Sequence, residues 1–141
     1  MIRAWVVGQN EGPIIGEGWY DRGPDWFGFP FRESFARGVL RIPALAPGDR
    51  LNLLLGSALA YHMGSQEVVI RLGSLNLKKV LRPPFPKSGW EFVSFRAPSD
   101  LPPGELAEVV LETPVWRHSV HDGSGDFREV GLLLGALFLS R

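Results

Sequence analysis

The chain has 141 residues, enough for one domain, residues 1–141, to bury a core without disulfides or metals. Its 15 Lys plus Arg balance 15 Asp plus Glu, so no net field recruits a polyanion, and nucleic acid is set aside as a partner. Cysteine is absent, which excludes a disulfide framework and thiolate metal sites, while twelve arginines against three lysines and few Asn and Gln suggest a thermophilic or GC-rich source.

The N-terminus, Met1-Ile2-Arg3-Ala4-Trp5-Val6-Val7, turns polar at Gln9, Asn10 and Glu11, too early for the apolar stretch of a signal peptide, and a cytoplasmic location is expected. Arg3 to Val7 reads as a first strand and Ile14 to Tyr20 as a second. A long loop is expected from Asp21 to Ser34, carrying the aromatic run Trp26-Phe27-Gly28-Phe29-Pro30-Phe31. Phe35 to Ile42, Arg50 to Leu55, Glu67 to Leu72, Leu75 to Leu81, Trp90 to Arg96, Glu105 to Glu112 and Val130 to Leu139 complete the predicted strands, each between Gly- or Pro-bearing turns. Two further long loops run from Gly56 to Gln66, with room for a helical turn at Ser57 to Met63, and from Trp116 to Phe127.

Alternation supports the strand reading. Val68, Ile70 and Leu72 share one parity, as do Val109 and Leu111, so each of these strands turns an apolar side inward. Gly131 to Leu139 is apolar at both parities, which predicts a central strand with both faces covered or with its second face against a partner; the run Val130 to Leu139 is half the roughly 20 residues of a membrane span, and no membrane insertion is expected. Short strands at this spacing predict an all-β fold: a jelly-roll β-sandwich of two antiparallel sheets with about eight to ten strands, the first and last strands neighbours in one sheet.

Gly18-Trp19-Tyr20, Arg37 ahead of Leu40-Arg41-Ile42-Pro43, Gly89-Trp90, Leu101-Pro102-Pro103-Gly104 and the closing Asp126-Phe127-Arg128-Glu129-Val130-Gly131-Leu132 occur in an order that resembles jelly-roll domains appended to bacterial glycosyltransferases and some carbohydrate esterases. The resemblance covers about residues 17–139. It implies a β-sandwich without catalytic motifs that binds glycans or packs on a partner domain. The chain departs from that pattern at Gly38, where an aromatic commonly follows the arginine.

Candidate functional residues come from the loops. Exposed aromatics on a β-sandwich form flat platforms for sugar rings, and Trp26, Tyr61 and Trp116 are the first choices, with His62 and His118 beside them. Trp19, Trp90, Phe92 and Phe95 lie on strands and are assigned to the core. Asp126 and Arg128, two apart, share a strand face and fit either an ion pair or recognition of a diol. His118, His121, Asp122 and Asp126 are weak metal candidates: a zinc reading rests on His-x-x-His-Asp and a calcium reading on the two aspartates, but turn-capping carboxylates and solvent-facing histidines explain the same pattern, and no cofactor is expected.

No nucleophile elbow, phosphate loop or His-Glu-x-x-His helix is present, so an enzyme is not expected, though Glu17, Asp25, Glu33 and Glu91 are carboxylates that a glycosidase could pair. The expected function is non-catalytic binding of a glycan or polysaccharide. The alternative is an assembly domain that packs on a partner protein or as a homo-oligomer through an apolar face, around Leu132 to Phe138 or Phe27 to Phe31.

Overall fold

The computed structural model describes residues 2–26, 28–85, 89–101, 106–117 and 129–141, with the backbone alone for Ile2, Pro24, Asp25 and His62. Strands β1 (Ile2–Val6), β2 (Trp19–Trp26), β3 (Phe29–Ser34), β5 (Arg50–Gly56), β8 (Glu91–Arg96) and β12 (Leu133–Ser140) form a six-stranded antiparallel sheet in the order β2-β3-β12-β5-β8, with β1 also paired to β12. Strands β4 (Arg37–Ile42), β6 (Gln66–Leu72), β7 (Leu75–Leu81) and β9 (Ala107–Glu112) form a second sheet in the order β4-β9-β6-β7. A ribbon of β10 (Trp116–Arg117) and β11 (Glu129–Val130) joins them, and one short helix, α1 (Ala58–Met63), follows β5. The two sheets make the expected jelly-roll β-sandwich. Among the described residues no helix is long and apolar enough to cross a membrane.

The core follows from strand parity. Leu51, Leu53 and Leu55 of β5, Val93 and Phe95 of β8, and Leu134, Leu137 and Leu139 of β12 meet Leu40 and Ile42 of β4, Val68, Ile70 and Leu72 of β6, and Val109 and Leu111 of β9 in one dry cluster. β12 is central, as its apolarity at both parities predicts: β1 and β3 pair along it in succession on one side and β5 on the other. A bulge between Leu134 and Ala136 keeps alternation in step, and Gly135 fills it because a Cβ there would stand 3.0 Å from the Trp90 ring and 3.1 Å from Leu54.

Several expectations are corrected. The Asp21 to Ser34 segment is a β-hairpin, β2 to β3, with Trp26 opposite Phe29; Gly23 passes directly beneath the Phe31 ring, which helps this aromatic run pair instead of wandering as a loop. Ile14 to Tyr20 is no continuous strand: a 3₁₀ turn at Gly12–Ile14, set by Pro13, and a single bridge from Ile15 to Leu40 occupy its first part. Phe92 is not core, since Val93 and Phe95 take the inward parity of β8 and leave Phe92 41% exposed. Trp19 is half-buried, its ring across Gly38 and its Nε1 donating to Val39 O at 3.0 Å.

Gln66 anchors the end of the sandwich that carries α1. Its Nε2 lies within hydrogen-bond distance of Thr113 Oγ1 (2.9 Å), Gly131 O (3.0 Å) and Pro114 O (3.2 Å), while its Oε1 accepts from Ser57 Oγ. Ser57 in turn caps α1 by accepting from Ala60 N at 2.9 Å. One buried, satisfied amide thus fixes the helix that presents Tyr61 to β6, to the loop after β9 and to the approach to β12.

Candidate functional site

The outer faces of the two sheets differ in chemistry. On the four-stranded sheet, Arg41 bridges Glu17 and Glu108, with Nε 3.2 Å from Glu108 Oε2; Arg71 pairs with Glu112, and Lys78 stands 3.6 Å from Glu67. The hydrogen bond from Arg41 holds the Glu17 carboxyl below its ordinary value, despite a small opposing effect of desolvation. A depression of about 330 Å³ at the rim of this sheet is lined by Arg71, Glu108, Leu106 and Leu101. Its charged side chains are already paired with neighbours, Arg71 with Glu112 and Glu108 with Arg41, which leaves little to recruit a ligand.

The outer face of the six-stranded sheet is apolar and aromatic. Register places Val6, Ala136, Leu54 and Phe92 in one row across β1, β12, β5 and β8, and Ala4, Phe138, Asn52 and Ser94 in the next. Phe92 and Phe138 meet edge to face with centroids 5.9 Å apart, and with Asn52 they line a depression of about 350 Å³. A second depression, about 160 Å³, lies between Phe29, Leu54, Trp90 and Phe92. Phe92 belongs to both, so the two are adjacent. Ser94 Oγ donates to Asn52 Oδ1, leaving the Asn52 amide N–H groups without a partner among the described residues and beside the two phenylalanines.

The aromatic row continues toward α1. Phe29 packs edge-on to Trp90 at 6.1 Å. Trp90 Nε1 donates to Trp26 O at 2.8 Å and Trp26 Nε1 to Gly89 O at 3.1 Å, a reciprocal clasp that ties the hairpin to the segment ahead of β8. Trp26 meets Tyr61 at 6.0 Å, and Tyr61 meets Phe85 at 5.5 Å. Phe29 and Tyr61 are 42% and 44% exposed, so the row offers apolar surface at its middle and its end.

The structure therefore brings together two of the residues singled out from sequence, Trp26 and Tyr61. Trp116, a third, is buried against Ala58, Leu59 and Val130, where its ring supports α1 and offers no open face. The His62 side chain and all of His118, Asp126 and Arg128 lie outside the described residues, as do the metal candidates His121 and Asp122. Among the described residues no group of three His, Asp or Glu side chains is arranged to hold a metal ion. Phe29 and Phe138 fall in the two segments expected as apolar assembly faces, whereas Phe92, Asn52 and Ser94 are not among the loop candidates because they belong to strands. Their signal is parity: in Phe92-Val93-Ser94-Phe95, an inward Val93 and Phe95 require an outward Phe92 and Ser94.

No family model matches the sequence, and no curated protein does. Among solved structures, the chain is similar to a cycloalternan-forming enzyme from Listeria monocytogenes in complex with a pentasaccharide substrate, at 11% identity and a TM-score of 0.54, over 93% of this chain and 11% of that one. It is similar to CsCBM6-3 from Clostridium stercorarium in complex with cellobiose, at 9% identity and a TM-score of 0.51, over 99% of this chain and 93% of that one. It is also similar to the carbohydrate binding module CBM6cm-2 from Cellvibrio mixtus lichenase 5A in complex with cellotriose, at 9% identity and a TM-score of 0.50, over 100% of this chain and 98% of that one. At these identities the likeness is one of fold.

Proposed function

We propose that this chain is a non-catalytic glycan-binding module whose ligand lies along the outer face of the six-stranded sheet. The observation that carries this reading is the continuous aromatic row from Tyr61 through Phe29 to Phe92 and Phe138, flanked by the unpartnered amide donors of Asn52. Sugar rings present C–H faces that stack on such surfaces, and a carboxamide reads hydroxyl orientation. Two solved structures of similar fold are carbohydrate-binding modules in complex with cellobiose and cellotriose, which supports the same reading. Trp26 and Tyr61 extend the platform at its α1 end; His62, His118, Asp126 and Arg128 remain candidate contacts. The Listeria enzyme, of which only 11% is covered, suggests that such a module works beside a catalytic domain.

The apolarity of the same face favours a second reading, in which a copy of the chain or another protein covers it. The rival segments named from sequence, around Leu132 to Phe138 and Phe27 to Phe31, contribute Phe138, Phe29 and Phe31 to this one surface. Native gel retardation by soluble polysaccharides, run with light scattering on the same sample, separates the two. A monomer retarded by at least one polysaccharide supports glycan binding. A stable dimer unaffected by every polysaccharide sinks it in favour of assembly.

A further inference from the structure

Two arginines stand opposite each other at the foot of the aromatic face. Arg50 of β5 and Arg96 of β8 are cross-strand partners, two register positions beyond Asn52 and Ser94. Opposed residues of an antiparallel pair share a face, as do positions two apart along a strand, so Leu54 with Phe92, Asn52 with Ser94 and Arg50 with Arg96 form one continuous strip. Like charges in such a pair repel, and no acidic side chain among the described residues forms an ion pair with either. Arg96 Nη1 donates to the Gly48 carbonyl at 3.0 Å, and the Arg50 guanidinium has no hydrogen bond or ion pair among the described residues. Their acidic neighbour Asp49 is buried, accepts from Ala46 N at 2.9 Å and faces Arg141 at 3.8 Å. A depression of about 220 Å³ lies at this pair, lined by Arg50, Ser94, Phe95 and Arg96, and Ser94 donates to Asn52, which lines the neighbouring depression with Phe92 and Phe138. In a molecule with no net charge, this is a local cationic step at the edge of an apolar platform.

Resting on the glycan-binding reading above, we infer that the site takes an acidic saccharide, with an anionic substituent, carboxylate or sulfate ester, between Arg50 and Arg96 while its rings lie on Phe92 and Phe138. Two residues of strand, about 6.6 Å, separate the arginine pair from the Asn52–Ser94 pair, a distance that a charged group on a bound ring can span. Guanidinium groups hold such anions through paired, charge-assisted hydrogen bonds. A bound anion also removes the Arg50–Arg96 repulsion, so ligand recognition and relief of an unfavourable pair coincide.

Calorimetric titration of the full chain tests this with matched probes: a neutral glucan oligosaccharide, the same oligosaccharide oxidised at C6 to the uronate, and the same oligosaccharide carrying sulfate esters, each in β-1,4, β-1,3 and α-1,4 linkage. For at least one linkage an anionic form should bind about tenfold or more tightly than its neutral parent at low salt. The preference should shrink as sodium chloride screens it, and whichever anionic form is preferred identifies the substituent. Arg50→Gln with Arg96→Gln should bring anionic binding down to the neutral level, with neutral binding within about twofold and Tm unchanged or raised. Neutral forms bound as well as both anionic forms, or a preference that survives in the double variant, would overturn the inference and leave glycan binding standing. Failure of every probe, neutral and anionic alike, would overturn both.

Discussion

Glu11 is a carboxylate that the fold buries to 4% exposure and then surrounds with donors. Burial alone would raise its pKa, but hydrogen bonds from Arg32 Nε at 2.9 Å, from its own backbone N–H and from Gly8 N at 3.1 Å, together with the charge of Arg32, outweigh burial and hold it below the ordinary 4.5. A carboxylate with a depressed folded pKa contributes stability that is fully present above its unfolded value and is lost as pH falls through the folded one. Urea midpoints of the native chain should therefore drop below about pH 4.5. Glu11→Gln should cost about 1–3 kcal/mol at pH 7, because Arg32 loses its anion, and its acid limb should be shallower than that of the native chain. Gly38 presents the steric counterpart. An added Cβ would stand 2.8 and 2.9 Å from atoms of the Trp19 ring, so Gly38→Ala should displace the indole, weaken its bond to Val39 O and lower stability by about 1–3 kcal/mol, readable in Tm and in tryptophan fluorescence. Glycine at this position thus has a local cause: the space over its Cα is filled by the Trp19 ring of β2.

At the scale of elements, β12 carries the most weight because it is paired on both edges and buried along most of its length. Leu137 is fully buried between the sheets, and Leu137→Ala should cost about 2–5 kcal/mol in chemical denaturation with little collapse of the cavity, since both flanking strands are held by their own ladders. That centrality was legible in the run Leu132 to Leu139, as were the bounds of β7, which coincide with the predicted Leu75 to Leu81. Period-2 strands with one apolar face declare themselves locally. The β2–β3 hairpin did not, because Gly23, Pro24 and Pro30 are turn signals by composition, whereas in the folded chain Gly23 makes room for the Phe31 ring and the Pro30 ring packs 3.0 Å from where a Cβ on Gly8 would stand. For the candidate site, Trp26 and Tyr61 are legible as aromatics in segments that read as loops. The Phe92 and Phe138 floor was missed because the juxtaposition of β8 with β12, two strands apart across β5, is a matter of sheet order that no local window contains.

At the scale of the whole molecule, the sandwich has one outer face of mutually neutralised charges and one of aromatics, and their roles can be separated by paired variants. Arg71 and Glu112 on the four-stranded sheet are roughly half exposed, and such pairs contribute about 0–1 kcal/mol. Arg71→Ala with Glu112→Ala should therefore leave both Tm and polysaccharide retardation close to native. Phe92 is 41% exposed and Phe138 partly so, which makes their ring faces the surface left dry only when something lies on them. Phe92→Ala with Phe138→Ala should abolish retardation, and because neither ring reaches the inter-sheet core, the loss in stability should stay below that of Leu137→Ala. The comparison that decides is the ratio of the two losses within each variant. Binding lost with stability largely kept assigns the aromatic face to recognition, whereas a Tm that falls as far as for Leu137→Ala with retardation intact would assign those rings to packing and move the ligand elsewhere on the molecule.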